Sequence, residues 1–182
     1  GPKLDYRVRF DWIDRNRSTY SSGEGIPLLK LNGSLDWAEC SGGHRGLLNY
    51  SITESTFPGG RCRVQLCNST IASLLVTPHS EYDSLFACLW KEAEEALARA
   101  DKIVIIGYSF PHYDKRVIEL FQRSLKVSME IEIIDMKMGN ESEGEARSRI
   151  QAKYQGLFPN LSTNQLTIHS EGLEKYLQRV CP

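Results

Sequence analysis

The residue types of a ligand-binding turn come together in Lys102-Ile103-Val104-Ile105-Ile106-Gly107-Tyr108-Ser109-Phe110-Pro111-His112-Tyr113-Asp114. Gly107 lets the backbone turn sharply or approach another group, and Pro111 stops the extended segment just before a helical pattern opens near Asp114. In open α/β sheets, ligands collect at such carboxyl strand ends. A second acidic residue, Asp135, closes the next apolar run, Ile131-Glu132-Ile133-Ile134.

The elements that must position these residues follow from periodicity. The β-branched residues from Ile103 to Ile106 leave no polar face, which predicts a central parallel strand covered on both sides. Before it, Phe86, Leu89, Trp90, Ala93, Leu97 and Ala100 recur at helical spacing with charged residues opposite, and Asp83 or Ser84 can cap that helix. After it, Val117, Ile118, Phe121 and Leu125 mark a second helix, with Asp114 at its cap position. Ala146, Ile150 and Tyr154 mark a third, and Leu173, Tyr176, Leu177 and Val180 a fourth. Leu166-Thr167-Ile168 reads as the last strand, and the segment from Met136 to Gly144 as polar and flexible. Strands alternating with helices from residue 74 onward predict an α/β fold built on a partial Rossmann-like, doubly wound parallel sheet.

Upstream, residues 1–25 read as an irregular lead-in and residues 26–182 as the α/β domain. Pro27-Leu28-Leu29-Lys30-Leu31 predicts a short strand ended by Asn32-Gly33-Ser34. Residues 38–73, rich in Gly, Ser, Thr and Cys and punctuated by Pro58-Gly59-Gly60, predict a small inserted lobe. Leu74-Leu75-Val76 then returns the chain to the main sheet.

Composition excludes several classes of function. The chain has 182 residues, 41% of them hydrophobic and 25% charged, an ordinary globular balance. Its 22 basic and 23 acidic residues give a net charge of −1, with no basic run to support a nucleic-acid partner. No apolar stretch is long enough to cross a membrane as a helix. Five cysteines, odd in number and unevenly spaced, argue against a disulfide framework and for a reducing, intracellular and cytoplasmic setting. Six of the seven asparagines, Asn16, Asn32, Asn49, Asn68, Asn140 and Asn160, begin Asn-x-Ser/Thr sequons, which go unread in such a setting. Gly1-Pro2 looks like the scar of a removed tag.

The order of segments carries a resemblance. Leu29-Lys30-Leu31-Asn32-Gly33-Ser34-Leu35-Asp36-Trp37, a cysteine-bearing lobe, Val76-Thr77-Pro78, a helix and then Ile106-Gly107-Tyr108-Ser109 resemble the SIR2-like family, the wider group that contains the sirtuins. Asp5-Tyr6 is similar to that group's lead-in, and the likeness covers roughly residues 4–178. The resemblance implies an NAD or ADP-ribose ligand, with Gly33, Ser34, Gly107, Tyr108 and Ser109 on the cofactor rim. Ser109 would donate to a phosphate or ribose oxygen and Tyr108 would cover an adenosine. Asp135, as an acidic residue at a strand end, is a further cofactor-binding candidate for ribose hydroxyls, or else a solvated turn residue. The family's relatives cleave NAD, as deacylases or as NAD hydrolases in prokaryotic defence.

Two departures qualify that implication. Asn32 stands where the family has its catalytic histidine, and an amide cannot take up a proton near neutral pH. The family's Gly-rich phosphate turn and Asn-Asp element are also missing from these residues, which implies the C-terminal portion of the domain, inactive by itself. The alternative is a non-catalytic scaffold on a degenerate SIR2-like fold. A half-sheet with open edges invites a second copy of the chain or the missing half of the domain. The lobe falls where sirtuins insert zinc, and Cys40-x3-His44 with Cys62-x4-Cys67 offers the four sulfur and nitrogen ligands of a closed tetrahedral site. Small buried or surface thiols in a loop-rich lobe are the other reading of the same residues.

Overall fold

The computed structural model describes residues 4–5, 8–9, 11–14, 19–20, 25–47, 61–62, 66–75 and 84–180. The chain divides into two units, Gly1–Ala93 and Glu94–Pro182, and each is taken by itself. Tyr6, Pro58-Gly59-Gly60, Val76-Thr77-Pro78 and Asp83 lie outside the described residues.

The first unit is built from strands. Where the sequence suggests an irregular lead-in, four short strands occur: β1 (Leu4–Asp5), β2 (Val8–Arg9), β3 (Asp11–Asp14) and β4 (Thr19–Tyr20). The strand expected from Pro27 to Leu31 is displaced. Only β5 (Ile26–Pro27) is extended there, and β6 (Gly33–Cys40) begins after the turn. Gly33 sits at φ 80° and its N–H donates to the Lys30 carbonyl at 3.1 Å, so the turn residues open a strand instead of ending one. β7 (His44–Leu47) folds back on β6, and β8 (Ile71–Leu75) pairs with the other edge of β6, all antiparallel, in the order β3-β7-β6-β8. The run expected to rejoin the parallel sheet therefore completes this antiparallel one, with Cys40 opposite Ile71. Buried Trp37 packs on Phe86 at 6.3 Å between ring centres, and the Trp90 indole donates to the Leu31 carbonyl at 3.1 Å. Both aromatic partners come from α1 (Ser84–Arg99), the helix that the periodicity predicts.

The second unit is the expected parallel α/β layer. β9 (Lys102–Ile106), α2 (Lys115–Ser124), β10 (Glu130–Ile134), α3 (Glu143–Leu157), β11 (Leu166–His169) and α4 (Leu173–Val180) alternate, and the strands lie parallel in the order β11-β10-β9. Ile131, Ile133 and Ile134 of the central strand β10 are buried. β9, read from its composition as central, is an edge strand of this sheet among the described residues: Ile103 and Ile105 are buried, whereas Val104 is 44% and Ile106 50% exposed. A β-branched run reports strand preference, which an edge shares with a centre.

The core on one face gathers Ile103, Ile105, Ile131, Ile133, Ile150, Tyr154 and Phe158 around Phe110. Four aromatic rings surround Phe110, those of Tyr108, Phe121, Phe158 and Tyr154, at 4.6, 5.0, 5.3 and 5.6 Å. Its backbone is left-handed, φ 46°, a region that costs a non-glycine residue about 1–3 kcal/mol and persists only where the surroundings hold it. The edge-to-face ring contacts supply that hold.

The other face carries charge. Glu132, buried in β10, pairs with Lys102 Nζ at 2.7 Å and His169 Nε2 at 2.7 Å. Arg179 of α4 reaches His169 Nδ1 at 2.7 Å. Arginine can only donate, so Nδ1 accepts, and the hydrogen sits on Nε2, facing Glu132. α4 docks through Tyr176 and Arg179, leaving exposed Leu173, Leu177 and Val180, which mark the helix in the sequence. The Lys102 hydrogen bond holds the Glu132 carboxyl below its ordinary range.

Two measurements check this account. Phe110→Ala should cost about 3–5 kcal/mol in urea unfolding, and a loss under about 1 kcal/mol would mean the ring cluster does not hold the turn. Glu132 has a folded pKa below its unfolded one, so its contribution is full above the unfolded value and disappears as pH falls through the folded one. The stability gap between wild type and Glu132→Gln should therefore shrink as pH falls below about 4.3, the ordinary glutamate value. A gap that stayed constant there would contradict the ion pair.

Candidate functional site

Each unit carries one group of the residues singled out by the sequence. In the first, the β6–β7 hairpin presents Cys40 at the end of one strand and His44 at the start of the next, joined by a turn in which the Gly43 N–H donates to the Cys40 carbonyl at 2.8 Å. Cys62 arrives from a segment tied down by its own N–H to the Ser69 carbonyl, 2.9 Å, beside the Arg61–Thr70 bridge, and Cys67 lies on the intervening loop.

The four ligand atoms lie within 4.8 Å of one another. His44 Nδ1 is 3.5 Å from Cys40 Sγ and 3.6 Å from Cys62 Sγ, and the Cys40 and Cys67 sulfurs are 3.9 Å apart. A tetrahedral ion with metal–sulfur bonds of about 2.3 Å and metal–nitrogen bonds of about 2.0 Å would set these edges at about 3.5 and 3.8 Å. The spacing therefore fits one small ion held by three sulfurs and one imidazole nitrogen.

Two surrounding features fit ligation as well. The His44 N–H donates to Cys40 Sγ at 3.4 Å, and hydrogen bonds from Ser69 bring the Cys67 thiol down to about 6, so that it meets a cation as thiolate. Gly42 packs closely on the group: a Cβ there would stand 3.2 Å from Cys67 Sγ, a tight contact, and 3.4 Å from Cys40 Sγ, an ordinary one. Cys88, by contrast, is an exposed residue of α1 with no part in the group.

Asn32 lies half-buried in the turn before β6, and Gly33 and Ser34 are its first strand residues. They belong to the first unit, whereas Gly107, Tyr108, Ser109 and Asp135 belong to the second.

In the second unit the parallel register places Ile106 beside Ile134, so Gly107 and Asp135 emerge side by side at the carboxyl ends of β9 and β10. The Gly107 N–H donates to the Ile134 carbonyl at 3.0 Å. Gly107 has φ 60° and open space where a Cβ would be, so backbone conformation, not crowding, calls for glycine. Ser109 is exposed. Tyr108 is engaged otherwise than expected: its hydroxyl donates to the Asp114 carboxylate and its ring packs on Phe110. Burial and that bond raise its phenol above the ordinary range. Asp114 sits at the N-cap position of α2 but makes no side-chain cap, because Tyr108 takes its carboxylate.

Asp135 is held on three sides. Its N–H donates to the His169 carbonyl at 3.0 Å, its carbonyl accepts from the Gly172 N–H at 3.1 Å, and its Oδ1 accepts from the Met136 N–H at 2.8 Å. Oδ2 accepts no hydrogen bond among the described residues and can take a ligand hydroxyl. Sequence reasoning missed Phe110, whose left-handed backbone aims the turn. The only local signal was an aromatic before Pro111.

No family model matches the sequence, and no curated protein does. Among solved structures, the chain is similar to Sir2 with a deacetylated p53 peptide and 3′-O-acetyl ADP-ribose, at 16% identity and TM-score 0.50, over 87% of this chain and 54% of that one. It is also similar to Sir2Tm bound to a propionylated peptide, at 16% identity and TM-score 0.51, over 87% and 56%. The chain thus spans about half the length of the structures it matches. The likeness is one of fold: this is a Rossmann-like α/β architecture of the sirtuin type, carrying a cysteine cluster.

Metal analysis of the purified chain should find about one equivalent of bound ion, lost on chelation and absent from Cys40→Ser. Gly42→Ala should bind the ion more weakly, because its methyl group crowds the Cys67 sulfur. Full metal content in Cys40→Ser would remove the site.

Proposed function

We propose that this chain is a SIR2-like module that binds NAD or ADP-ribose, related to the NAD-cleaving deacylases and NAD hydrolases and without turnover by itself. The observation that carries the reading is the pairing of Gly107 and Asp135 at adjacent parallel strand ends, the place where such sheets bind nucleotides. The fold supports it, since one structure of the same architecture was solved with an ADP-ribose derivative. Ser109 donates to a ligand oxygen from the exposed turn, and Asp135 accepts from a ribose diol. Asn32, in the first unit with Gly33 and Ser34, occupies the position of the family histidine.

Asn32 decides the absence of turnover. A ribose hydroxyl needs a base to attack, and a carboxamide has no basic lone pair near neutral pH, although it hydrogen-bonds a ribose well. The cysteine cluster is a structural zinc site in this reading: four protein ligands close the tetrahedron and leave no open position for substrate.

Thermal shift with ADP-ribose tests the reading. At a hundredfold excess over its dissociation constant the ligand should stabilise the chain by about 2.7 kcal/mol, and Asp135→Ala should abolish most of that gain. Nicotinamide release from NAD should stay at the level of Asn32→Ala. Unchanged melting at ligand excess would reject nucleotide binding in favour of a scaffold on the same fold, and turnover that vanished in Asn32→Ala would reject the account of Asn32.

A further inference from the structure

The loop from Met136 to Ser142 follows directly on Asp135 and is fastened from α3. Arg149 donates from Nε to Glu141 Oε1 at 2.8 Å and from Nη2 to Glu141 Oε2 at 3.1 Å, a two-pronged pair. The same Nη2 donates to the Met136 carbonyl at 3.1 Å, and Glu141 Oε2 accepts from the Met138 N–H at 2.8 Å. The pairing raises the Arg149 pKa and lowers that of Glu141. From the opposite side Met136 bridges to Glu171, and its Cγ stands 3.3 Å from where a Cβ on Gly172 would be.

Met136 is therefore gripped at both ends. Its carbonyl is held by Arg149, and its N–H is the group that fixes Asp135 Oδ1. Losing the guanidinium frees the Met136–Lys137 peptide, the unit that follows the one whose N–H orients the carboxylate, although Arg149 itself makes no hydrogen bond to the rim.

We propose that Arg149 and Glu141 are positioning residues for Asp135: together they hold Met136 from its carbonyl side, so that its N–H keeps the carboxylate in one orientation toward the adenosine ribose diol. This rests on the nucleotide reading above and deepens it, since it makes recognition of the diol depend on a charge pair outside the rim.

The test compares two ligands by calorimetry on the full chain: ADP-ribose, and the analogue lacking the adenosine 2′- and 3′-hydroxyls. Arg149→Met and Glu141→Gln should each weaken ADP-ribose about tenfold and leave the analogue within about twofold. In an Asp135→Asn background, Arg149→Met should cost nothing further, and Arg149→Lys, which keeps one charged donor, should fall between. Circular dichroism confirms that each variant folds; if Arg149→Met does not, Glu141→Gln and Arg149→Lys carry the comparison. Equal losses for both ligands, or none for either, would overturn the positioning role while leaving nucleotide binding intact. A wild-type chain that bound neither ligand would instead overturn the nucleotide reading, and this inference with it.

Discussion

The second unit depends on the ring of Phe110. A turn that must leave a strand, expose Ser109 and start a helix within a few residues needs one residue in a conformation that side chains avoid, and the chain meets that demand at a position whose ring is buried. The core and the rim are thus joined through one backbone. Tyr108, Tyr154 and Phe158 pack on Phe110 from the side of the sheet that also buries β9 and β10. The Tyr154 hydroxyl donates back to the Tyr108 carbonyl at 3.3 Å, so α3 braces the same turn by a second route.

Much of this was legible in the residues, and the failures have common causes. Ala146, Ile150 and Tyr154 read as one helix face and are all buried, since a three-turn periodic stripe has few other uses. The parallel alternation after residue 84 was legible for the same reason. What local pattern could not convey was the neighbour. The composition of β9 says strand and nothing of how many sides are covered, and Asp114 occupies a cap position while its carboxylate answers a tyrosine on the preceding turn. The segment after Asp135 reads as flexible because its tether, Arg149, stands eight residues beyond Glu141 on a helix.

At the candidate site the same division holds. Residue type pointed to Cys40, His44, Cys62 and Cys67, but only the antiparallel pairing of β6 with β7 and β8 explains why their ligand atoms meet. The carboxyl-end rule brought out Asp135 and Gly107, and the register made them neighbours. The part played by Tyr108 lay beyond reach, because a tyrosine beside a glycine turn suits a ligand face and a buried hydroxyl network equally well.

The cysteine cluster has a consequence for the unfolded chain. Cys40 and Cys67 stand 27 residues apart, and an ion bound by both closes that span into a ring. By the entropy of ring closure, a permanent cross-link over this length would remove about 3–4 kcal/mol worth of freedom from the denatured ensemble. A bound metal would make the same closure reversibly, and the first unit's resistance to unfolding would then depend on free-ion concentration as well as on its own packing.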